Sequence, residues 1–170
     1  MYKIIDEHGI LHDSSPYYPR QGHFEFYNVT RIEGAEIDLL CTNRKTQRWD
    51  TGAIPAYIFD IMVRKQAAGR ISLRVGFNES IYYGGHIGYS VDESFRGNAY
   101  ALKACGMLKD LAILHGLRKL IITVNPDNYP SRRTCEKLGC MELRTVDLPM
   151  YNELYRMGER QKVIYEWDLG

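Results

Sequence analysis

Between Ile87 and Val124 the hydrophobic pattern changes period twice, and this switch constrains the fold more than any other feature of the chain. Ile87, Tyr89 and Val91 alternate with His86, Gly88 and Ser90, the two-residue period of a strand. Ala101, Ala104, Cys105, Leu108, Leu111 and Ala112 then recur at three- and four-residue steps, forming one apolar helical stripe with Lys103, Lys109 and Asp110 outside it. Gly116 stands where a helix ends on a left-handed glycine. Leu117 to Val124 is an apolar, β-branched run, the pattern of a strand covered on both faces. Strand, helix and strand in that order imply a right-handed parallel crossover.

The flanking segments complete an α/β reading. Glu36 to Cys41 reads as a strand and Thr42 to Pro55 as a polar loop. Tyr57, Phe59, Ile61 and Val63 alternate with Asp60, Met62 and Arg64, Ala67-Ala68-Gly69 end that run, and Ile71, Leu73 and Val75 give a second strand of a hairpin or meander. Pro126 to Pro130 is turn chemistry opening a second helix, with Asn128 as N-cap and Pro130 in the first turn; Leu138-Gly139 closes it. Met141 to Val146 reads as a strand, Asp147 to Gly158 as a loop, and Val163, Tyr165, Trp167 and Leu169 as the apolar side of a last strand. Residues 1–36 read as an N-terminal arm with room for one short hairpin, packed on the domain by the aromatics between Tyr17 and Tyr27. Residues 37–170 then form the domain: a mixed, twisted central sheet with a splayed parallel strand pair and flanking helices.

Composition narrows the classes of function. A chain of 170 residues suits one domain with its own core. A net charge of +1 gives no global attraction to nucleic acid. Cys41, Cys105, Cys135 and Cys140 lack metal-ligand spacing and read as reduced thiols. The first residues have no signal-peptide core, and apolar stretches such as Leu120 to Val124 are far too short to span a bilayer. The expectation is a cytoplasmic protein without membrane or metal.

The chemistry is concentrated where the strand gives way to the helix, at Val91 to Ala101. Small residues there let a ligand approach the backbone. The free N–H groups of the first helical turn and the helix dipole favour an anion such as a diphosphate, and Arg96 can pair with it. Neither a Walker loop nor a G-x-G-x-x-G fingerprint is present.

Arg96-Gly97-Asn98-Ala99-Tyr100-Ala101 resembles the R/Q-x-x-G/A-x-G/A loop of the GNAT superfamily of acetyl-CoA-dependent N-acetyltransferases. Ile87 to Val91 is similar to the strand before that loop. Asn128-x-x-Ser131 followed by Glu136-Lys137-Leu138-Gly139 resembles the second cofactor motif, as found in ribosomal-protein and related small acetyltransferases. The resemblance runs over residues 37–145. It implies acetyl-CoA as cofactor, with backbone groups at Ser90 and Val91 on the pantetheine and acetyl ends. Arg96, Gly97, Asn98, Ala99, Tyr100 and Ala101 would hold the diphosphate, and Asn128 and Ser131 would reach pantetheine or the phosphate-bearing end. The sequence departs from the family at Ala99, where a glycine is usual, and at Cys135, where many members carry a tyrosine that protonates the departing thiolate.

Acetyl transfer to an amine needs the amine proton removed, and His86 is the candidate base, since an ordinary histidine titrates near neutrality. The reading is direct transfer, without metal, to a small-molecule or peptide amine, with a main-chain N–H near Val91 polarising the thioester. Homodimerisation is left open. The rival class is a non-catalytic module that binds acyl-CoA as a sensor.

Overall fold

The computed structural model describes residues 3–6, 9–10, 24–46, 48 and 53–170. Tyr17, Tyr18 and the turn residues Ser14 to Pro16 and Pro19 lie outside them. The strands are β1 (Lys3–Asp6), β2 (Gly9–Ile10), β3 (Arg31–Glu33), β4 (Asp38–Lys45), β5 (Ala56–Val63), β6 (Gln66–Arg74), β7 (Ile87–Val91), β8 (Lys119–Val124), β9 (Met141–Asp147) and β10 (Gln161–Asp168). The helices are α1 (Glu79–Gly84), α2 (Tyr100–Leu114), α3 (Tyr129–Leu138) and α4 (Glu153–Arg156), with a short 3₁₀ turn at Glu93–Phe95.

Two ladders result. One runs β2-β1-β3-β4-β5-β6-β7 and the other β8-β10-β9, and every pairing within them is antiparallel. Residues 1–36, read from sequence as an arm, contribute β1, β2 and β3 to the larger ladder. The two ladders part between β7 and β8, the strands joined by the α2 crossover. The buried stripe of α2, Ala104, Cys105, Met107, Leu108, Leu111 and Ala112, packs across β4, β6 and β7. Each fully buried leucine of this stripe contributes roughly 1.5–3 kcal/mol.

The β5–β6 turn falls earlier than the sequence suggests. Arg64 and Lys65 take left-handed backbone at φ 47° and 69°, so Ala67 to Gly69 lie inside β6 rather than ending a run. Gly69 is needed there for a different reason. A Cβ on it would stand 2.1 Å from the Ser90 carbonyl oxygen, so the glycine lets β6 and β7 close on each other. Helix α2 ends as expected, with Gly116 at φ 76° and the Leu117 N–H returning to the Ala112 carbonyl, closing the helix as a Schellman cap does. A second departure is α1. Glu79 is its first residue, and the Asn78 side chain accepts from the Ile81 N–H as its cap.

Beyond the end of α2, His115 anchors the segment that precedes β3. Its ring stacks on Phe24 at 5.0 Å and meets Tyr27 edge-on at 4.8 Å. Its Nε2 lies 2.8 Å from the buried Tyr57 hydroxyl, which itself accepts from the Tyr27 N–H. Burial lowers the His115 pKa from 6.5 to about 4, so the folded protein holds it neutral. A proton therefore binds the unfolded chain more tightly than the folded one. The stabilisation is complete above about 6.5 and is lost as pH falls toward 4. The urea midpoint should decline from pH 7 to pH 4.5, and His115→Gln should flatten that decline. Identical slopes for the two proteins would contradict this role.

Candidate active site

The ladders are stitched together at one point before they separate. The His86 N–H donates to the Ile121 carbonyl at 2.7 Å, and the Ile121 N–H donates back to His86 Nδ1 at 2.8 Å. One imidazole nitrogen thus takes the place of a main-chain acceptor. Thr123 Oγ1 adds a bond to the Tyr83 carbonyl at 2.9 Å. Gly85, at φ 74°, permits the approach: a Cβ there would lie 3.1 Å from the Thr123 nitrogen. Past this junction no ladder joins β7 to β8. Ile87, Gly88 and Tyr89 on one side and Ile122, Thr123, Val124 and Asn125 on the other become walls of a cleft of about 250 Å³. Both strands run on from the junction into this opening.

Asn128 and Ser131, at the start of α3, reach the same cleft, as do Arg74, Leu154 and Lys162. Lys162 is buried and satisfied: its Nζ bonds Asn125 Oδ1 at 2.6 Å and pairs with Glu159. Tyr89 directs its phenol toward Ser131 and Thr134 of α3, and burial pushes its pKa up to about 12. Cys135, fully buried on the same helix, belongs to the core. The adjoining Cys140 and burial raise its pKa.

The two helix starts differ in a way that matters for anions. Asn128 caps α3, its Oδ1 accepting from the Ser131 N–H at 3.2 Å, as the sequence predicts. Helix α2 has no side-chain cap. Its N-cap residue, Ala99, has left-handed backbone at φ 57°, and the first intrahelical bond runs from Lys103 N to the Ala99 carbonyl. The N–H groups ahead of Lys103 are thus left for a ligand. The turn is held by its own side chains. Arg96 Nε donates to the Val91 carbonyl at 3.0 Å, and Asn98 Nδ2 donates to the carbonyls of Phe95 and Arg96. Gly97 has φ 84° and open space where a Cβ would point.

The residues singled out from sequence fall into three places. Asn128 and Ser131 line the cleft. Ser90, exposed, and Val91, half-buried, continue β7 past the cleft-lining residues toward the turn of Arg96, Gly97, Asn98, Ala99, Tyr100 and Ala101. His86 is elsewhere: it is 3% exposed, and its ring lies in the seam rather than on the Gly88 face. Burial lowers its pKa, and the nearby Arg74 charge acts the same way against the Gly76 and Ile121 backbone. Protonating Nδ1 would break the bond to Ile121, an arrangement that suits a structural role for His86 in the seam. Asp60 pairs with Arg70 at 3.3 Å. Sequence reasoning missed Arg74, Thr123, Asn125 and Lys162 as cleft residues. The strand parity of Arg74 carried a signal, since it shares a face with Ser72 opposite the buried Ile71 and Leu73.

A family model described as the acetyltransferase (GNAT) domain matches residues 21–141. The chain belongs to the GNAT acetyltransferase family. Solved structures share the fold. A candidate acetyltransferase covers 86% of the chain and 89% of its own, at 17% identity and TM-score 0.64. The N-acetyltransferase from Staphylococcus aureus Mu50 covers 68% of each chain at 21% identity and TM-score 0.53. The microcin C7 self-immunity acetyltransferase MccE, solved with acetyl-CoA and AMP, covers 66% of this chain at 19% identity and TM-score 0.52. The chain spans only 61% of the MccE structure's length. No curated protein matches the sequence. The GNAT match ends at the start of β9, so Leu154 and Lys162 bring to the cleft side chains from beyond it.

Ala99 generates a prediction of its own. It stands where the resembling family usually has glycine, and its φ of 57° is left-handed. A left-handed non-glycine residue costs roughly 1–2 kcal/mol. Glycine removes that strain at an entropic cost of roughly 0.5–1 kcal/mol. Ala99→Gly should therefore raise stability by up to about 1 kcal/mol in urea denaturation. A loss of stability would show that the backbone at residue 99 is not left-handed in solution.

Proposed function

We propose that this chain is an acetyl-CoA-dependent N-acetyltransferase that acts by direct transfer within a ternary complex. The observation that carries the reading is the parting of β7 from β8 beside an uncapped helix start. It leaves strand edge and helix N–H groups unpaired within one continuous stretch of chain, Ile87 to Ala101.

Acetyl-CoA supplies an acetyl thioester whose carbonyl carbon an amine can attack, giving an N-acetyl product and free thiol. The protein has four tasks. The N–H groups at the start of α2 bind the diphosphate, with Arg96 alongside. The cleft edge of β7, through Ser90 and Val91, bonds the amide groups of pantetheine much as a strand would. Asn128 and Ser131 close the opposite wall. A main-chain N–H near Val91 stabilises negative charge on the thioester oxygen. His86 holds the seam, and the amine proton leaves through water, since no carboxylate lines the cleft among the described residues. The free thiols Cys41, Cys105, Cys135 and Cys140 suit a reducing, cytoplasmic setting. Among the described residues no helix is long and apolar enough to cross a membrane.

Titration calorimetry with acetyl-CoA and a thiol-release assay with an amine panel test this together. Ala99→Glu places a carboxylate at the mouth of the α2 turn without adding a new backbone conflict, and should weaken acetyl-CoA binding by about tenfold or more. Unchanged affinity would remove the diphosphate from this turn. Saturable binding with no thiol release on any amine would make the chain an acyl-CoA sensor instead.

A further inference from the structure

Among the described residues, Arg74 is the one charged cleft residue without an ion-pair partner. It ends β6 and lies half-buried against the cleft wall. Its Nη1 donates to two carbonyls at the end of α1, Gly84 at 3.1 Å and Gly85 at 2.8 Å. Neither carbonyl carries a formal charge. Among the described residues no carboxylate stands within ion-pair distance of the guanidinium, although Asp60, Glu36 and Glu159 all pair with other cations. Desolvation lowers its pKa with no opposing acid, and an arginine still keeps its proton.

The other cation of the cleft, Lys162, is already neutralised by Glu159. His86, the nearest titratable neighbour, is neutral and its Nδ1 is taken by Ile121. The cleft therefore carries an uncompensated positive charge. Gly88 keeps that charge uncovered. A Cβ at Gly88 would come within 3.5 Å of Arg74 Nη2 and 3.4 Å of Ser72 Oγ. The glycine thus opens the wall beside Nη2, the nitrogen left over once Nη1 is committed to α1.

An unpaired guanidinium half-removed from water costs stability unless something pairs with it, and a planar fork of N–H donors suits an oxyanion. The diphosphate of acetyl-CoA is assigned to the start of α2 and does not account for it. The geometry points to an acceptor that brings its own anion: a small amine carrying a carboxylate or phosphate group, held by Arg74 Nη2 beside Gly88. This inference rests on the acetyltransferase reading and names its substrate class. A cationic wall also disfavours the protonated amine, so the same charge helps present the amine in its reactive neutral form.

The test uses matched acceptor pairs with the wild-type protein. In one arm each amino acid is compared with its methyl ester; in the other each amino-alkyl phosphate is compared with its amino alcohol. The anionic member should show at least about tenfold higher kcat/KM in one arm or both, and the arm identifies the anion. Arg74→Lys should narrow the ratio and Arg74→Gln should bring it close to one, mainly through KM. If Arg74→Gln fails to fold because α1 loses its tie, the wild-type ratios decide alone. Thiol release with equal rates for both members of every pair would overturn the assignment of Arg74 while leaving the acetyltransferase reading intact. Absence of acetyl-CoA binding in calorimetry would overturn the reading on which it rests.

Discussion

One neutral imidazole holds the two sheets of this protein at a fixed distance. His86 gives its N–H to the Ile121 carbonyl and receives the Ile121 N–H on Nδ1. A strand neighbour would supply both partners from its backbone and would continue the ladder. A side chain can do so only once. The pairing therefore starts and stops at a single residue, and the strand edges beyond it remain open. Unpaired strand edges inside a protein are costly unless a ligand completes them. The junction explains both why β7 and β8 are close and why they do not form one sheet. It also explains why the ring must stay neutral, since a proton on Nδ1 would dissolve the contact.

Around that opening, charge is distributed unevenly. Helix α3 satisfies its own first turn through Asn128, while α2 leaves its first turn free and accepts strain at Ala99 to do so. Lys162 is neutralised and Arg74 is not. The positive potential is thus concentrated at two sites, the start of α2 and the Arg74 fork. The walls contributed by Leu154 and Lys162 lie beyond the segment that the family shares, which is where differences in acceptor would arise.

Much of this was legible in the sequence. The change of period from Ile87 to Val124 located the crossover because its helix is long enough to repeat an apolar stripe, and both strands are hydrophobic. Asn128 and Gly139 could be placed as caps because their side-chain chemistry dictates the role. Other features left no local trace. Arg64 and Lys65 form a turn without glycine or proline, so the turn was placed at Gly69 instead. Helix α1 is six residues long, too short for any period to show. Parity assigns residues to the two faces of a strand but cannot describe a ring that lies in the seam between strands, as that of His86 does.

The central claim is that the open edge of β7 and the uncapped turn of α2 together receive acetyl-CoA. Backbone amide spectra of the isotope-labelled protein, recorded with and without acetyl-CoA, test it most directly. The account predicts that amide shifts and slowed exchange concentrate at Gly88 to Val91 and at Gly97 to Leu102, while Ile121, bonded to His86 in both states, stays protected throughout. Perturbations centred elsewhere, with β7 and the start of α2 unchanged at saturating acetyl-CoA, would contradict it.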